Sequence, residues 1–243
     1  MKFSAKTDIG RVRNSNQDAY ACGEFSATEG WAVVCDGMGG ASGGDVASNT
    51  AVRIISEKVT SAYSEKMAPR SMGNMFESAI TTSNARLYSM SREDENLFGM
   101  GTTVVAAIIR EKSIFVAHVG DSRVYVYDEI NGLVQLTIDH SIVQEMVDRG
   151  EITEEEARIH PRKNIITRAL GVGNDIEIDF REYGLTETSK ILLCTDGLTN
   201  YLDDETITQY LSQHQTEGLA EKLVDAANAN GGGDNITVVV VSN

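Results

Sequence analysis

The stretch Thr102-Thr103-Val104-Val105-Ala106-Ala107-Ile108-Ile109, Arg110-Glu111-Lys112, Ser113-Ile114-Phe115-Val116-Ala117-His118-Val119, Gly120-Asp121-Ser122, Arg123-Val124-Tyr125-Val126-Tyr127 decides the class of fold. Its first two runs are apolar or β-branched almost throughout, and only three charged residues separate them. A third run follows at once. Consecutive strands with joints this short read as an antiparallel meander, because parallel neighbours need a crossover of a dozen or more residues. A doubly wound parallel sheet is therefore excluded here.

Working outward, Trp31-Ala32-Val33-Val34-Cys35 is a short buried strand that Asp36-Gly37 stops with a turn signal. Ile176 to Tyr183 sets Ile176, Ile178 and Phe180 against Glu177, Asp179 and Arg181, the period of a strand with one buried face. Ile191 to Cys194 and Ile236 to Val241 are shorter buried runs. Apolar residues at helical spacing, such as Met72, Met75, Phe76, Ala79, Ile80 and Leu87, predict helices over 45–63 and 71–91. Two more are predicted over 204–213 and 217–229. The helices come in pairs instead of alternating with strands. The fold expected is α+β: two antiparallel sheets packed as a sandwich, with helix layers outside. The segment His140 to Asn174 is polar, carries Glu154-Glu155-Glu156, and reads as a mobile insertion with short helices over 141–149 and 153–160. Pro69 and Pro161 are the only prolines, and no linker or internal repeat interrupts the chain. One domain over residues 1–243 is expected.

The 243 residues are 41% hydrophobic, enough for a sizeable core. Thirty-six acids against 21 bases leave a net charge of −15. That balance argues against binding nucleic acid through its phosphates, or docking on an anionic membrane. No apolar run is long enough to span a bilayer, and Met1 to Asp8 lacks the apolar stretch of a signal peptide. Cys22, Cys35 and Cys194 are odd in number and widely spaced, which fits reduced thiols in a cytoplasmic protein.

Four aspartates share one context. Asp36 follows Val33-Val34-Cys35, Asp121 follows a strand and Gly120, Asp196 follows Leu192-Leu193-Cys194-Thr195, and Asp234 precedes Asn235 and the last strand. Each lies at a strand end with glycine beside it. One Asp-Gly pair is most simply a turn. Four of them deliver carboxylates to a common rim, where they repel one another unless cations join them. Oxygen ligands without histidine point to Mg²⁺ or Mn²⁺, and two such ions can clamp a phosphoryl group for in-line attack. A phosphate also needs a cation from the protein, and Arg11 and Arg13 are equal candidates on spacing alone.

Other readings are weaker. Gly40-Ala41-Ser42-Gly43-Gly44 satisfies the pattern of a serine nucleophile elbow, with Asp203 and His214 in triad order. The elbow, however, needs its serine directly off a strand of a parallel sheet. Gly37-Met38-Gly39-Gly40-Ala41-Ser42 lacks the third glycine of a dinucleotide fingerprint. His118 reads as a satisfied core residue, His214 as a helix end, and His140 and His160 as brackets of the insertion. Cys35 and Cys194 read as small core residues.

The chain resembles the metal-dependent Ser/Thr protein phosphatases of the PPM, or PP2C, type in their compact bacterial form. The resemblance is carried by Thr7 to Asp18, by Val34-Cys35-Asp36-Gly37-Met38-Gly39-Gly40, by Gly101-Thr102-Thr103, and by Val119-Gly120-Asp121-Ser122-Arg123. It continues through Leu193-Cys194-Thr195-Asp196-Gly197-Leu198 and Gly233-Asp234-Asn235-Ile236-Thr237. It implies a four-layer fold with pairs of antiparallel helices flanking the sandwich, and a flap over about 141–173. The activity implied is hydrolysis of phosphoserine and phosphothreonine on proteins by a metal-bridged water or hydroxide, without a phosphoenzyme. Two Mn²⁺ or Mg²⁺ ions are implied, with Asp36 bridging them, the Gly37 carbonyl on one, and Asp196 and Asp234 on the other. A third, weaker metal falls to Asp121 with Asp196. Arg13 grips the substrate phosphate, and Asp18 holds a water on the metals. The partners implied are phosphoproteins, including a bacterial Ser/Thr kinase and its substrates, and the chain is expected to be a monomer. Two departures stand out. Met38 replaces a histidine of some members and cannot donate a proton, and Gln17 brings no charge where others have an acid. A pseudophosphatase would be expected to lack a ligand, and none is missing here.

Overall fold

A computed structural model describes residues 1–110 and 112–242, including every side chain among them except those of Ala41 and Ser42. Glu111, expected above to fall in a turn, and the Ser42 side chain lie outside the described residues. One sheet contains β1 (Lys2–Asp8), β11 (Ile236–Ser242), β10 (Lys190–Cys194), β7 (Arg123–Asp128) and β8 (Gly132–Gln135), in that order. The other runs β2 (Asp18–Ser26), β3 (Glu29–Met38), β5 (Val104–Arg110), β6 (Ser113–Val119) and β9 (Asp179–Gly184), with β4 (Gly101–Thr102) on the end of β3. Every pairing is antiparallel.

Helices cover both outer faces, which explains why these antiparallel strands read as continuous apolar runs. In β5, Val105, Ala107 and Ile109 pack between the sheets with Val124, Leu193 and Val239. The alternate residues Ala106 and Ile108 face α1 (Gly40–Ala62) and α2 (Pro69–Glu93), against Ile55, Phe76 and Ile80. On the far side, Leu192, Val238 and Val240 meet Leu211 of α6 (Asp204–Gln213) and Leu223 of α7 (Leu219–Ala229). Each such aliphatic side chain stabilises the fold by about 1.5–3 kcal/mol. No helix among the described residues is long and apolar enough to cross a membrane.

Several expectations are corrected. The 102–127 stretch is a hairpin of β5 and β6, but β7 leaves it and pairs with β10 in the opposite sheet. Gly120 makes the crossing at φ 108°, and a Cβ there would lie 2.6 Å from Thr103 Cγ2. Asp36-Gly37 does not end its strand: Gly37 pairs with Thr102 and Met38 with Gly101. Glycine is needed because a Cβ would overlap the Gly44 carbonyl. Of the 176–183 run only Asp179 onward is strand, and Phe180 is 41% exposed, because β9 is a sheet edge paired with β6 alone. Helix α1 starts at Gly40, and α7 starts at Leu219. Strands β1, β2 and β8 were not expected. All three are sheet edges, with mixed polar sequences and mostly half-buried residues.

The insertion holds α3 (Ile142–Asp148) and α4 (Glu154–Ile159). Ser141 caps α3, and a capping box of Thr153 and Glu156 starts α4. Its ends are tied down by backbone bonds between Ile142 and Ile165, and between Thr102 and Leu170.

Candidate active site

Asp36, Asp121, Asp196 and Asp234 border one cavity of about 300 Å³, with Arg13, Gln17, Gly37 and Met38. Both sheets supply them. Asp36 sits two residues from the end of β3, and Asp121 lies in the crossing from β6 to β7. Asp196 opens α5 (Asp196–Thr199) after β10, and Asp234 precedes β11. The backbone of Asp36 is pinned: its N–H donates to Thr103 Oγ1 at 2.9 Å, and its carbonyl accepts from Thr103 N at 2.9 Å and Thr102 Oγ1 at 2.8 Å.

Beneath them lies Asp18, paired with Asp36 across β2 and β3 and only 6% exposed. Its Oδ2 accepts from Thr195 Oγ1 at 2.9 Å and Thr237 Oγ1 at 2.7 Å, while Oδ1 is buried without a partner. Burial is the main cause that raises its pKa to about 7, against the lowering effect of the two threonines. Asp196 rises to about 6, mainly through burial and then through Asp234. Asn200 Nδ2 donates to its Oδ2 at 2.9 Å, and Oδ1 again is buried without a partner. Asp36 and Asp121 are pushed well above the usual carboxylate range by burial, then by neighbouring carboxylates.

Among the described residues that border the cavity, one is basic. Arg13 NH2 donates to Asp234 Oδ2 at 2.7 Å, and Asp234 also accepts the Asn235 N–H. Arg11 does not border the cavity; its backbone N–H is bound to the Gly232 carbonyl. The arrangement therefore separates two arginines that spacing left equal. Crowded carboxylates with two orphaned buried oxygens form a poor site for any neutral group. They suit hard divalent cations, which take oxygen ligands and remove the repulsion.

The residues that hold this geometry were less legible. Asn235 Oδ1 accepts from Gln17 N at 2.8 Å, and its Nδ2 donates to the carbonyls of Ile9 and Ser15, each at 2.9 Å. It thus closes the loop that carries Arg13, and its place directly after Asp234 was the available signal. Gln17 Nε2 donates to the Gly40 carbonyl at 3.0 Å, so its side chain ties that loop to the start of α1. Thr195 and Thr237 carried no such mark.

A second cluster is different in kind. His118, His140 and Asp179 lie close enough to hold a metal, but Arg168 NH1 sits 3.1 Å from both His140 Nε2 and Asp179 Oδ1. His118 Nε2 is bonded to the Ile138 carbonyl, and His140 Nδ1 accepts the Gly120 N–H. This group already has its cation. Cys35 and Cys194 are fully buried, and burial pushes both thiols up, Cys194 to about 12, so neither is a nucleophile at neutral pH.

A family model for protein phosphatase 2C matches residues 11–227. The chain belongs to the protein phosphatase 2C family. Among its relatives, the serine/threonine phosphatase Stp of Listeria welshimeri is 40% identical over 244 residues, which cover 99% of this chain and 95% of that one. The crystal structure of the serine/threonine phosphatase Stp1 from Staphylococcus aureus superposes with a TM-score of 0.89 at 34% identity, covering 100% and 94% of the two chains. The catalytic domain of the phosphatase PstP, solved in complex with two manganese ions, has a TM-score of 0.85 at 31% identity, with 98% and 96% covered. Membership agrees with the antiparallel sandwich and excludes the serine-hydrolase reading, which needed a parallel sheet.

Proposed function

We propose that this protein phosphatase 2C family member hydrolyses phosphoserine and phosphothreonine on proteins, using Mn²⁺ or Mg²⁺ held by the clustered aspartates. The observation that carries this reading is the convergence of Asp36, Asp121, Asp196 and Asp234 from two sheets into one cavity that Arg13 also enters. Asp36 would reach both of two ions, with the Gly37 carbonyl on one and Asp196 and Asp234 on the other. Asp121 with Asp196 would take a third. When bound, such cations acidify water for attack on phosphorus and withdraw charge from the phosphoryl oxygens.

The chain's own residues do the rest. Asp18 is locked by two threonine hydroxyls and keeps one oxygen free beneath Asp36, so it can orient a water without leaving its place. The Arg13 guanidinium, about half exposed, is free to match two phosphate oxygens once Asp234 has another partner. Met38 borders the cavity and has no proton to give, so the leaving oxygen is not protonated from that position. The pinned backbone of Asp36 fixes the point on β3 from which its carboxylate reaches the cavity.

On this reading the whole chain works as one phosphatase domain, with residues 141–173 as a flap beside the cavity. It acts as a cytoplasmic monomer, consistent with three unpaired cysteines, and reverses the work of a Ser/Thr kinase. The test is phosphate release from a phosphothreonine peptide in EDTA and after Mn²⁺ is restored. Release should vanish and return; release that survives thorough chelation would overturn the metal reading.

A further inference from the structure

A larger groove of about 690 Å³ opens from the active-site cavity beneath the insertion, and Asp121 and Asp196 border both. One wall is formed by Val143 and Val147 of α3 and Ala157 of α4. Tyr201 and Leu202, between α5 and α6, line another part of it.

Its charge is one-sided. Arg123 is held by Asp139, through Nε at 2.9 Å and NH2 at 2.7 Å. Arg158 NH2 lies 3.3 Å from Asp204, and Lys163 Nζ donates to Asn200 Oδ1 at 2.8 Å. With these cations engaged, the exposed carboxylates of Asp148, Glu154 and Asp203 border the groove without an ion pair among the described residues. At the junction with the active-site cavity, Asp121 is 7% exposed and, with Asp196, belongs to the metal site proposed above. The groove thus combines apolar walls with three outer carboxylates that have no ion-pair partner among the described residues; Asp148 Oδ1 accepts from Gln144 Nε2 and Asp203 Oδ1 from Thr206 N, both neutral donors.

The geometry points to a substrate class: phosphopeptides with lysine or arginine on the side of the phosphorylated residue that runs along this groove. The inference rests on the phosphatase reading above. A chain leaving the cavity past Asp121 and Asp196 enters the groove. There the alkyl stems of basic side chains can cover Val147, Ala157 and Tyr201, while their heads meet Asp148, Glu154 and Asp203. An acidic flank would instead meet like charge, which suppresses the wrong partner more than it weakens the right one.

The test uses four phosphothreonine peptides, with a run of lysines or of glutamates on the N-terminal or the C-terminal side, and p-nitrophenyl phosphate, which carries no flanking residues. At about 20 mM salt the lysine peptide should exceed its glutamate counterpart by about tenfold or more in kcat/KM on one side. The ratio should shrink at about 0.5 M salt. In the double variant Asp148→Asn, Glu154→Gln, with each value divided by that variant's own kcat/KM on p-nitrophenyl phosphate, the ratio should fall about threefold or more. Equal values for the peptides, or a preference for glutamate, overturn the inference and leave the phosphatase reading standing, because phosphate is still released. A lysine preference unchanged in the double variant overturns it as well. No release from any peptide or from p-nitrophenyl phosphate overturns both.

Discussion

Replacing Asn235 by alanine should loosen the loop that carries Arg13 without unfolding the sandwich. Asn235 is 5% exposed and makes three hydrogen bonds to that loop, from Gln17 N and to the carbonyls of Ile9 and Ser15. Each is worth about 0.5–1.5 kcal/mol net, so their joint loss lies between about 1.5 and 4.5 kcal/mol. The freed loop groups can recover water, which places the cost near the lower end, at about 2 kcal/mol. At about 1.4 kcal/mol per factor of ten, the open state of the loop becomes roughly 30-fold more populated. Amide hydrogen exchange reads this directly. The amides of Gln17 and Arg11, the latter bound to the Gly232 carbonyl, should exchange about 30-fold faster, while those of Val105 and Val239 change much less. In phosphothreonine-peptide hydrolysis the loss should fall mainly on KM, because Arg13 is the group set adrift. Unchanged exchange at Arg11 and Gln17, or an equal loss of protection throughout the core, would refute the reasoning.

Three further outcomes follow from the same structure. Asp36→Asn should lower kcat by about a thousandfold or more while the circular dichroism spectrum stays native, since the residue faces both sheets' carboxylates and its backbone contacts remain; a tenfold loss or less would contradict its role. Gly37→Ala should destabilise the fold by about 3 kcal/mol or more in urea unfolding, because the new Cβ meets the Gly44 and Gln17 carbonyls, which are backbone and cannot swing away; a wild-type midpoint would count against this packing. His140 is held neutral down to about pH 4, through burial and then the nearby His118 and Arg168, against about 6.5 when unfolded. The unfolded chain therefore takes up its proton first, so this contribution is complete above about pH 6.5 and lost as the pH falls towards 4, by at most about 3 kcal/mol. His140→Gln should lose less stability than the wild type between those limits, and equal losses would speak against the assignment.

The sandwich was legible because its central strands are apolar on both faces, and β3, β5, β6, β10 and β11 all stand out for that reason. The edges β1, β2 and β8 were not, since they are mostly half-buried and carry Lys2, Lys6, Glu24 and Gln135 among their residues. The crossing at Gly120 was hidden for another reason. A short joint between apolar runs reads the same whether the chain stays in its sheet or moves to the facing one, and the pairing of β7 with β10, far along the chain, has no local mark. At the site, the four aspartates were visible because each breaks a buried run beside a glycine. Their supports, Thr195, Thr237 and Asn200, are ordinary polar residues whose partners lie far away in the chain, Thr237 being 219 positions from Asp18. Pattern reading finds local signals, and these contacts have none.

The account depends most on divalent cations occupying the aspartate cavity. Anomalous diffraction at the manganese edge, from crystals equilibrated with Mn²⁺, tests this most directly. The account predicts two strong peaks bounded by Asp36, Asp196 and Asp234, both lost in Asp36→Asn. An empty aspartate cavity in Mn²⁺-saturated crystals, or a peak at His118, His140 and Asp179 instead, would contradict it.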